Sequence, residues 1–213
     1  LKKYWENYLN WDWNNLSRII ISPGIKINGK NKHPIVKLAE NHKVKLQNEI
    51  ELYFEQKPKS IIIGITGTNG KSTLASLLSH ILSENKIKNI ICGNFGYPAC
   101  LVNPSDKNIV IVELSSYQLL SIPSLKIDFG IITNISNDHI DYHGNFDAYL
   151  NAKLRLIDAI KGKGYLIVNH KDIFLKNKIK QKLRSINDIN VVNTYGKEIK
   201  LSLIHISEPT RRI

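Results

Sequence analysis

The sequence contains no methionine, only two cysteines and no long hydrophobic run. Cys92 and Cys100 suit neither a disulfide framework nor a zinc site. Apolar runs such as residues 61–63 are as long as a strand and far shorter than a bilayer span, and the first residues show no signal-peptide pattern. We therefore expect a cytoplasmic protein that is not associated with a membrane. Because a natural gene product starts with methionine, a chain that starts at Leu1 is expected to be a fragment.

Acidic residues are also scarce relative to basic ones, since 18 Asp and Glu stand against 30 Lys and Arg and give a net charge of +12. Such a balance can indicate a nucleic-acid partner. The lysines, however, are spread along the chain among many asparagines and isoleucines, a bias typical of an A/T-rich genome. No nucleic-acid-binding motif accompanies them, so we expect no nucleic-acid partner.

The first 58 residues predict a few short helices and strands. A strand over residues 19–21 leads into a turn at residues 22–25. The pattern continues with a helix over 34–40, a strand over 44–46 and a helix that includes 50–54 and ends before Pro58. This segment is too small for a complete α/β domain, so residues 1–58 are interpreted as the end of one.

From Ser60 onward, strands alternate with helices. The continuous apolar run at residues 61–65 is typical of a strand buried on both faces. Further strands are predicted over residues 89–92, 109–112, 128–133, 165–168 and 191–192. The alternation predicts an α/β domain over residues 59–200, with a mostly parallel sheet and helices on both faces. Residues 201–213 resemble translated sequencing-adapter read-through, and we interpret them as a non-native tail.

A glycine-rich loop separates the strand at residues 61–65 from an amphipathic helix. The loop consists of Gly67, Thr68, Asn69, Gly70, Lys71, Ser72 and Thr73. Backbone N–H groups at a helix N-terminus bind phosphate oxygens, and this order of strand, loop and helix is the one that a phosphate-binding loop requires. We predict that ATP binds here, with Lys71 on the β- and γ-phosphates and the Ser72 hydroxyl on Mg²⁺. Ile65 replaces the first glycine of the usual pattern, and the alternative is a simple glycine-rich turn.

Two further strand ends carry polar residues. Glu113 follows the predicted strand 109–112, where a carboxylate could bind Mg²⁺; a carboxylate that stabilises a helix N-terminus is the equally weighted alternative. The loop after residues 128–133 contains Asp138, His139, Asp141 and His143. Imidazole is a metal ligand that neighbouring carboxylates orient, so this clustering favours a metal-binding loop over solvated side chains.

Lys153 lies on the apolar side of a helix predicted to begin near Asn145. At helical spacing it falls in the middle of a stripe formed by Phe146, Tyr149, Leu150, Ile157 and Ile160. A charged lysine there must extend to solvent, pair with an anion such as a phosphate, or lose its proton. A neutral amine could react with CO₂, and the resulting carbamate would be an anionic metal ligand.

Five motifs follow one another along the chain, at residues 67–73, 93–96, 113–116, 137–141 and 149–153. Together they closely resemble the Mur ligases, the ATP-dependent amino-acid-adding enzymes of peptidoglycan synthesis. The resemblance runs from about residue 19 to residue 195. Residues 22–25 and 113–119 look most like the members that add D-glutamate to UDP-N-acetylmuramoyl-L-alanine.

The resemblance implies a monomeric enzyme of three domains: a Rossmann-like UDP-binding domain, a P-loop ATPase central domain and a C-terminal ligase domain. It implies that ATP converts the alanyl carboxylate of UDP-N-acetylmuramoyl-L-alanine into an acyl phosphate, which the amine of D-glutamate attacks. Parts of the first two domains and all of the third are missing from this sequence, so an inactive fragment is expected.

The resemblance also implies roles for particular residues. Lys71, Glu113, His139 and Lys153 would be catalytic, with Ser72 and Glu113 on one Mg²⁺ and with His139 and carbamylated Lys153 on a second. The muramoyl-peptide side would be lined by Asn94, Ser115 and Gln118, and the UDP pocket by Ser22, Pro23 and Gly24. The alternatives are another Mur-type or folylpolyglutamate-type ligase, or an ATP-binding module without catalysis.

Overall fold

A small parallel strand pair opens the chain. The computed structural model describes residues 7–27, 29, 32–169, 171–183, 189–193 and 198–199. Strand β1 (Arg18–Ile20) pairs in parallel with β2 (Lys45–Gln47), and helix α1 (Pro34–Asn41) connects them. Trp13, Ile19, Val36 and Ala39 are among the residues of their common core. The predicted tail at residues 201–213 lies outside the described residues.

A larger sheet follows. Its strands are β3 (Ile61–Thr66), β4 (Asn89–Gly93), β5 (Ile109–Glu113), β6 (Ile127–Ile132), β7 (Ile160–Val168), β8 (Asn190–Asn193) and β9 (Glu198–Ile199). Within the described residues, their order across the sheet is β4-β5-β3-β6-β7-β8-β9. All neighbours are parallel except β8 and β9. The carboxyl ends of β5, β3 and β6 therefore meet at one edge, with β3 in the middle.

Helices cover the two faces of this sheet unequally. One face packs against α2 (Glu49–Glu55), α4 (Ser116–Leu119), α6 (Phe146–Asp158) and α7 (Ile173–Leu183), which form the main core together with the strands. The other face packs against α3 (Lys71–Glu84). A short helix, α5 (Ile140–His143), precedes α6. Within the described residues, no helix is long and apolar enough to cross a membrane.

The α3 face has an apolar part that α3 does not bury. Phe129 and Ile131 of β6 pair with Tyr165 and Ile167 of β7, and Ile167 pairs with Val192 of β8. All five side chains are only half-buried. We call these five residues the open row.

Helix α2 joins the first part of the chain to the main core. Its Ile50, Tyr53 and Phe54 are buried among residues of the larger sheet. The Glu51 carboxylate accepts hydrogen bonds from the backbone N–H and the hydroxyl of Ser124 at 3.2 and 2.7 Å, and Asn48 donates to the Ser121 hydroxyl at 2.7 Å. Residues that precede β3 therefore complete the core of the larger sheet.

The structure confirms the predicted mostly parallel sheet with helices on both faces. The first four short elements appear with ends shifted by one or two residues. Strand β7 is longer than predicted and begins at Ile160, so the prediction that Ile160 continues the stripe of α6 is wrong. The polar and glycine-rich residues 161–164 hide the start of this strand in the sequence, because their alternation of apolar side chains is weak.

Candidate active site

The glycine-rich loop joins the carboxyl end of β3 to the first turn of α3. Gly67 has φ of 151°, and a Cβ atom there would lie 1.9 Å from the Thr133 Oγ1. Gly70 caps α3 in the left-handed region with φ of 80°. Both positions therefore need glycine, because a side chain would clash at the first and be strained at the second. The N–H groups of the first turn of α3, which directly follows this loop, have no hydrogen-bond partners within the helix.

The loop after β6 holds the glycine-rich loop in place. The Asn134 side chain accepts a hydrogen bond from the Asn69 backbone N–H and donates one to the Asn69 carbonyl, both at 3.0 Å. Thr133 Oγ1 donates to the same carbonyl at 2.7 Å. The Thr68 hydroxyl accepts a hydrogen bond from the Ser136 backbone N–H at 3.0 Å. These four hydrogen bonds tie the glycine-rich loop to the loop after β6.

Two lysine side chains converge on the Gly67 carbonyl. The Nζ of Lys153 donates to this oxygen at 2.7 Å, and the Nζ of Lys71 donates to it at 3.0 Å and to the Thr68 carbonyl at 2.9 Å. Lys153 is only 2% exposed, as its place on the apolar side of α6 predicts. Burial, followed by the nearby charge of Lys71, lowers the pKa of Lys153 to about 7. Two cationic groups next to a helix N-terminus favour an anionic ligand.

Glu113 ends β5 beside this loop and is 1% exposed. Its Oε1 accepts a hydrogen bond from the Asn94 side chain at 3.0 Å. Its Oε2 is buried and has no hydrogen-bond partner among the described residues. A buried carboxylate oxygen without a partner is costly unless a cation or a donor reaches it.

This unpartnered oxygen is the observation that fits a Mg²⁺ ion. Carboxylate and hydroxyl oxygens are the ligands that Mg²⁺ prefers, and it usually keeps water and phosphate oxygens as the remaining ligands. In the described part of the chain, no three His, Cys, Asp or Glu side chains form a metal-binding group. A cation at Glu113 would therefore need further oxygens from Ser72, from water and from phosphate.

His139 caps α5 in an unusual backbone conformation. Its φ is 50°, in the left-handed region, and its Nε2 lies 3.4 Å from the Asp138 carboxylate. The ring of Tyr117 lies 5.1 Å from the His139 ring. Burial, followed by the carboxylates of Asp141 and Asp138, raises the pKa of Tyr117 to about 12, so this phenol stays protonated.

The residues predicted to contact substrate fall in three places, the third of which is the start of α4. Ser22 and Pro23 line a small crevice with Tyr117 and Tyr142, and Gly24 lies in the same exposed turn. Asn94, by contrast, is close to Glu113, as described above.

Ser115 and Gln118 contact each other rather than an open pocket. The Ser115 hydroxyl accepts from the Gln118 backbone N–H at 3.2 Å, and the Gln118 side chain accepts from the Ser115 backbone N–H at 2.9 Å. This capping box starts α4. The box uses Oε1 of Gln118, so a direct substrate contact by this residue would have to come from its side-chain NH₂ group.

Sequence reasoning missed Tyr149 and Ser116 as site residues. The Tyr149 hydroxyl and the Thr68 hydroxyl form a hydrogen bond of 2.9 Å, and the Lys153 ammonium lies 4.8 Å from the centre of the Tyr149 ring. The Ser116 hydroxyl contacts Nε2 of His143 at 2.9 Å. The sequence places Tyr149 on the apolar stripe and in the motif at residues 149–153 without giving it a role, although a tyrosine hydroxyl at a buried position needs a polar partner.

The fold and the loop define a phosphate-loop α/β domain, in which β3 leads into the loop, the neighbouring β5 ends at Glu113, and the loop after the other neighbour, β6, carries His139. The profile of the Mur ligase middle domain matches residues 65–208. The chain therefore belongs to the Mur ligase family, which confirms the resemblance seen in the five motifs.

Named relatives agree with this assignment. UDP-N-acetylmuramoylalanine–D-glutamate ligase from Rickettsia bellii is 38% identical over 157 residues, or 74% of this chain and 34% of the relative. The ligase of the same name from Wolbachia pipientis wMel is 41% identical over 150 residues, or 70% of this chain and 29% of the relative. This chain thus spans about a third of the length of these relatives.

A solved structure shows the same fold. MurF ligase from Thermotoga maritima, in complex with ADP, matches with a TM-score of 0.53 at 14% identity, over 86% of this chain and 51% of that chain. At this level of identity the likeness concerns the fold alone.

Proposed function

We propose that this chain is the ATP-binding part of a ligase that adds D-glutamate to UDP-N-acetylmuramoyl-L-alanine. The observation that carries the proposal is the convergence of Lys71 and Lys153 on the Gly67 carbonyl, beside the buried Glu113 carboxylate. The names of the relatives from Rickettsia and Wolbachia support the choice of D-glutamate and the nucleotide sugar as substrates. The Thermotoga MurF ligase, which shares the fold, was solved in complex with ADP, and this supports a nucleotide as the ligand.

The residues around the loop are suited to a triphosphate. The N–H groups of the first turn of α3 donate to phosphate oxygens, and Lys71 exchanges the carbonyls of Gly67 and Thr68 for a phosphate oxygen. When bound, ATP with Mg²⁺ supplies the phosphoryl group that activates the alanyl carboxylate. Glu113 and Ser72 are the side chains that would hold the cation, since Glu113 offers a buried oxygen that lacks a partner.

Lys153 has the chemistry needed to become a carbamate. With a pKa of about 7, about half of its amines are neutral at pH 7. The neutral amine adds to CO₂ through its nitrogen lone pair and releases one proton, which leaves a carbamate anion. We propose that this anion and His139 hold a second Mg²⁺. Two cations would offset the repulsion between the alanyl carboxylate and the triphosphate.

We also propose that the nucleotide sugar lies along the crevice between the two parts of the chain. Ser22 and Pro23 line it from the first part, and Gly24 is in the same turn. Asn94, which orients Glu113, and Ser115 would face the muramoyl-peptide end. Gln118 would act through Ser115, because its side chain supports the turn that carries this residue.

Calorimetric titration with ADP in the presence of Mg²⁺ tests nucleotide binding directly. The wild-type chain should bind, and Lys71→Met should bind at least about tenfold more weakly, because it loses a charged contact to phosphate. Lys37→Met, a change of an exposed lysine on α1, is the matched control and should bind like wild type. The proposal is wrong if the wild type does not bind or if Lys71→Met binds equally well.

Phosphate release tests the reaction. A longer protein that contains this chain should release phosphate only when ATP, D-glutamate and UDP-N-acetylmuramoyl-L-alanine are all present. The chain alone, at about a third of the length of its relatives, should release none. Turnover with a different amino acid, and none with D-glutamate, would show that the chain belongs to a ligase of the family with another substrate.

A further inference from the structure

The loops that carry Glu113 and His139 belong to strands that are not neighbours. Strand β3 lies between β5 and β6, so the two strands are separated by two strand spacings, roughly 10 Å. The glycine-rich loop emerges from β3 between them. Strands β5 and β6 each pair with β3 and not with each other, so direct contacts between the loops that follow them come from side chains.

Among the described residues, one side-chain hydrogen bond joins these two loops directly, in addition to the ring contacts of Tyr117. Nε2 of His143, in α5, lies 2.9 Å from the Ser116 hydroxyl at the start of α4. Ser116 is 1% exposed, and among the described residues His143 is the only hydrogen-bond partner of its hydroxyl. Loss of the imidazole would therefore leave a buried hydroxyl without a partner.

Aromatic rings hold the imidazole in place. The His143 ring stacks on the Tyr117 ring at 5.5 Å with an angle of 3° between the planes, and the Tyr149 ring lies 5.4 Å away. Tyr117 also meets Tyr142 edge to face at 4.3 Å. The position of α5 relative to α4 is therefore fixed by a hydrogen bond and by ring packing together.

We propose, on the basis of the proposed function, that His143 is a positioning residue for the metal-bound nucleotide. Its bond to Ser116 holds α5, which begins directly after His139, against α4, which follows Glu113. Loss of the bond lets α5 and His139 shift relative to Glu113, which stays paired with β3. Binding of ADP with Mg²⁺ then weakens much more than binding of ADP alone, because the phosphate contacts of the glycine-rich loop do not depend on this bond.

The test compares the affinity for ADP with and without Mg²⁺ by calorimetry. His143→Ala should lower the gain in affinity from Mg²⁺ by about tenfold or more, as is usual when a residue that orients a metal ligand is removed. His143→Gln keeps a side-chain N–H near Ser116 and should restore most of the gain. His80→Ala, a change of an exposed histidine of α3, should behave like wild type.

Ser116→Ala tests the same bond from the other side. It should lower the gain from Mg²⁺ as much as His143→Ala does, and the double variant should lower it no further, because both changes remove one interaction. Circular dichroism checks that each variant is folded; if His143→Ala is not, Ser116→Ala and His143→Gln decide. If Mg²⁺ raises the ADP affinity of these variants as much as that of wild type, this inference is wrong while the proposed function stands. A wild-type chain that binds no ADP overturns the proposed function and this inference with it.

Discussion

Replacement of Lys153 by methionine removes a charge that the folded protein accommodates poorly. The side chain is 2% exposed, and its pKa falls from 10.5 to about 7. This difference corresponds to about 5 kcal/mol of unfavourable free energy for the charged form relative to the neutral form. Below pH 7 the native protein bears this whole cost, because Lys153 is charged in both the folded and the unfolded chain.

Above pH 7 the native lysine loses its proton while the lysine of the unfolded chain, with a pKa of 10.5, keeps it. The unfolded state then binds more protons, so the contribution of Lys153 to stability rises with pH. Between pH 6 and pH 9 this rise amounts to about 3 kcal/mol. The unfolding free energy of the methionine variant lacks this rise. The difference in unfolding free energy between the variant and wild type should therefore decrease by the same amount between pH 6 and pH 9.

Urea unfolding at pH 6 and pH 9 measures the effect, with nucleotide and Mg²⁺ absent and CO₂ removed from the buffer. Comparison of the two proteins at each pH cancels the titration of other groups. Lys180→Met, a change of an exposed lysine of α7, is the control and should follow wild type at both pH values. If the unfolding free energies of wild type and Lys153→Met change in parallel, the lysine is not desolvated as described.

Three further changes probe the same site. Gly67→Ala should lower the unfolding free energy by about 1–3 kcal/mol in urea titrations, because the new Cβ atom would clash with Thr133. The same change should weaken ADP binding, and unchanged binding would contradict the loop geometry. Glu113→Gln should abolish the increase in ADP affinity that Mg²⁺ causes, as measured by calorimetry. It should not lower the thermal stability of the metal-free protein, since it removes a buried carboxylate charge. A large loss of stability would show that the carboxylate has another partner. Tyr149→Phe should cost about 1 kcal/mol of unfolding free energy through the lost bond to Thr68, and an unchanged urea midpoint would refute that bond.

Strand and helix positions in the larger domain could be predicted from the sequence where apolar side chains recur at a simple period, which the start of β7 lacks. The apolar run at residues 61–65 and the stripe of α6 needed only spacing, and the burial of Lys153 followed from its place on that stripe. The glycine-rich loop was equally predictable, since Gly67 and Gly70 are required by its backbone.

The contacts between the loops could not be predicted in this way. Asn134 meets Asn69, and His143 meets Ser116, only because the strand order places β3 between β5 and β6. The order of strands in a sheet cannot be deduced from the local periodicity of the sequence. The capping box that occupies Gln118 was also missed, because its sequence pattern is compatible with a substrate contact as well.

The open row has a consequence for the behaviour of this chain in solution. Its half-buried apolar side chains form a hydrophobic patch that favours self-association, on a protein whose net charge is +12. At low ionic strength, repulsion between like-charged molecules keeps their hydrophobic patches from meeting. Added salt shortens the range of that repulsion to about 3 Å at 1 M but does not weaken apolar contacts, so colloidal stability should fall as salt is added.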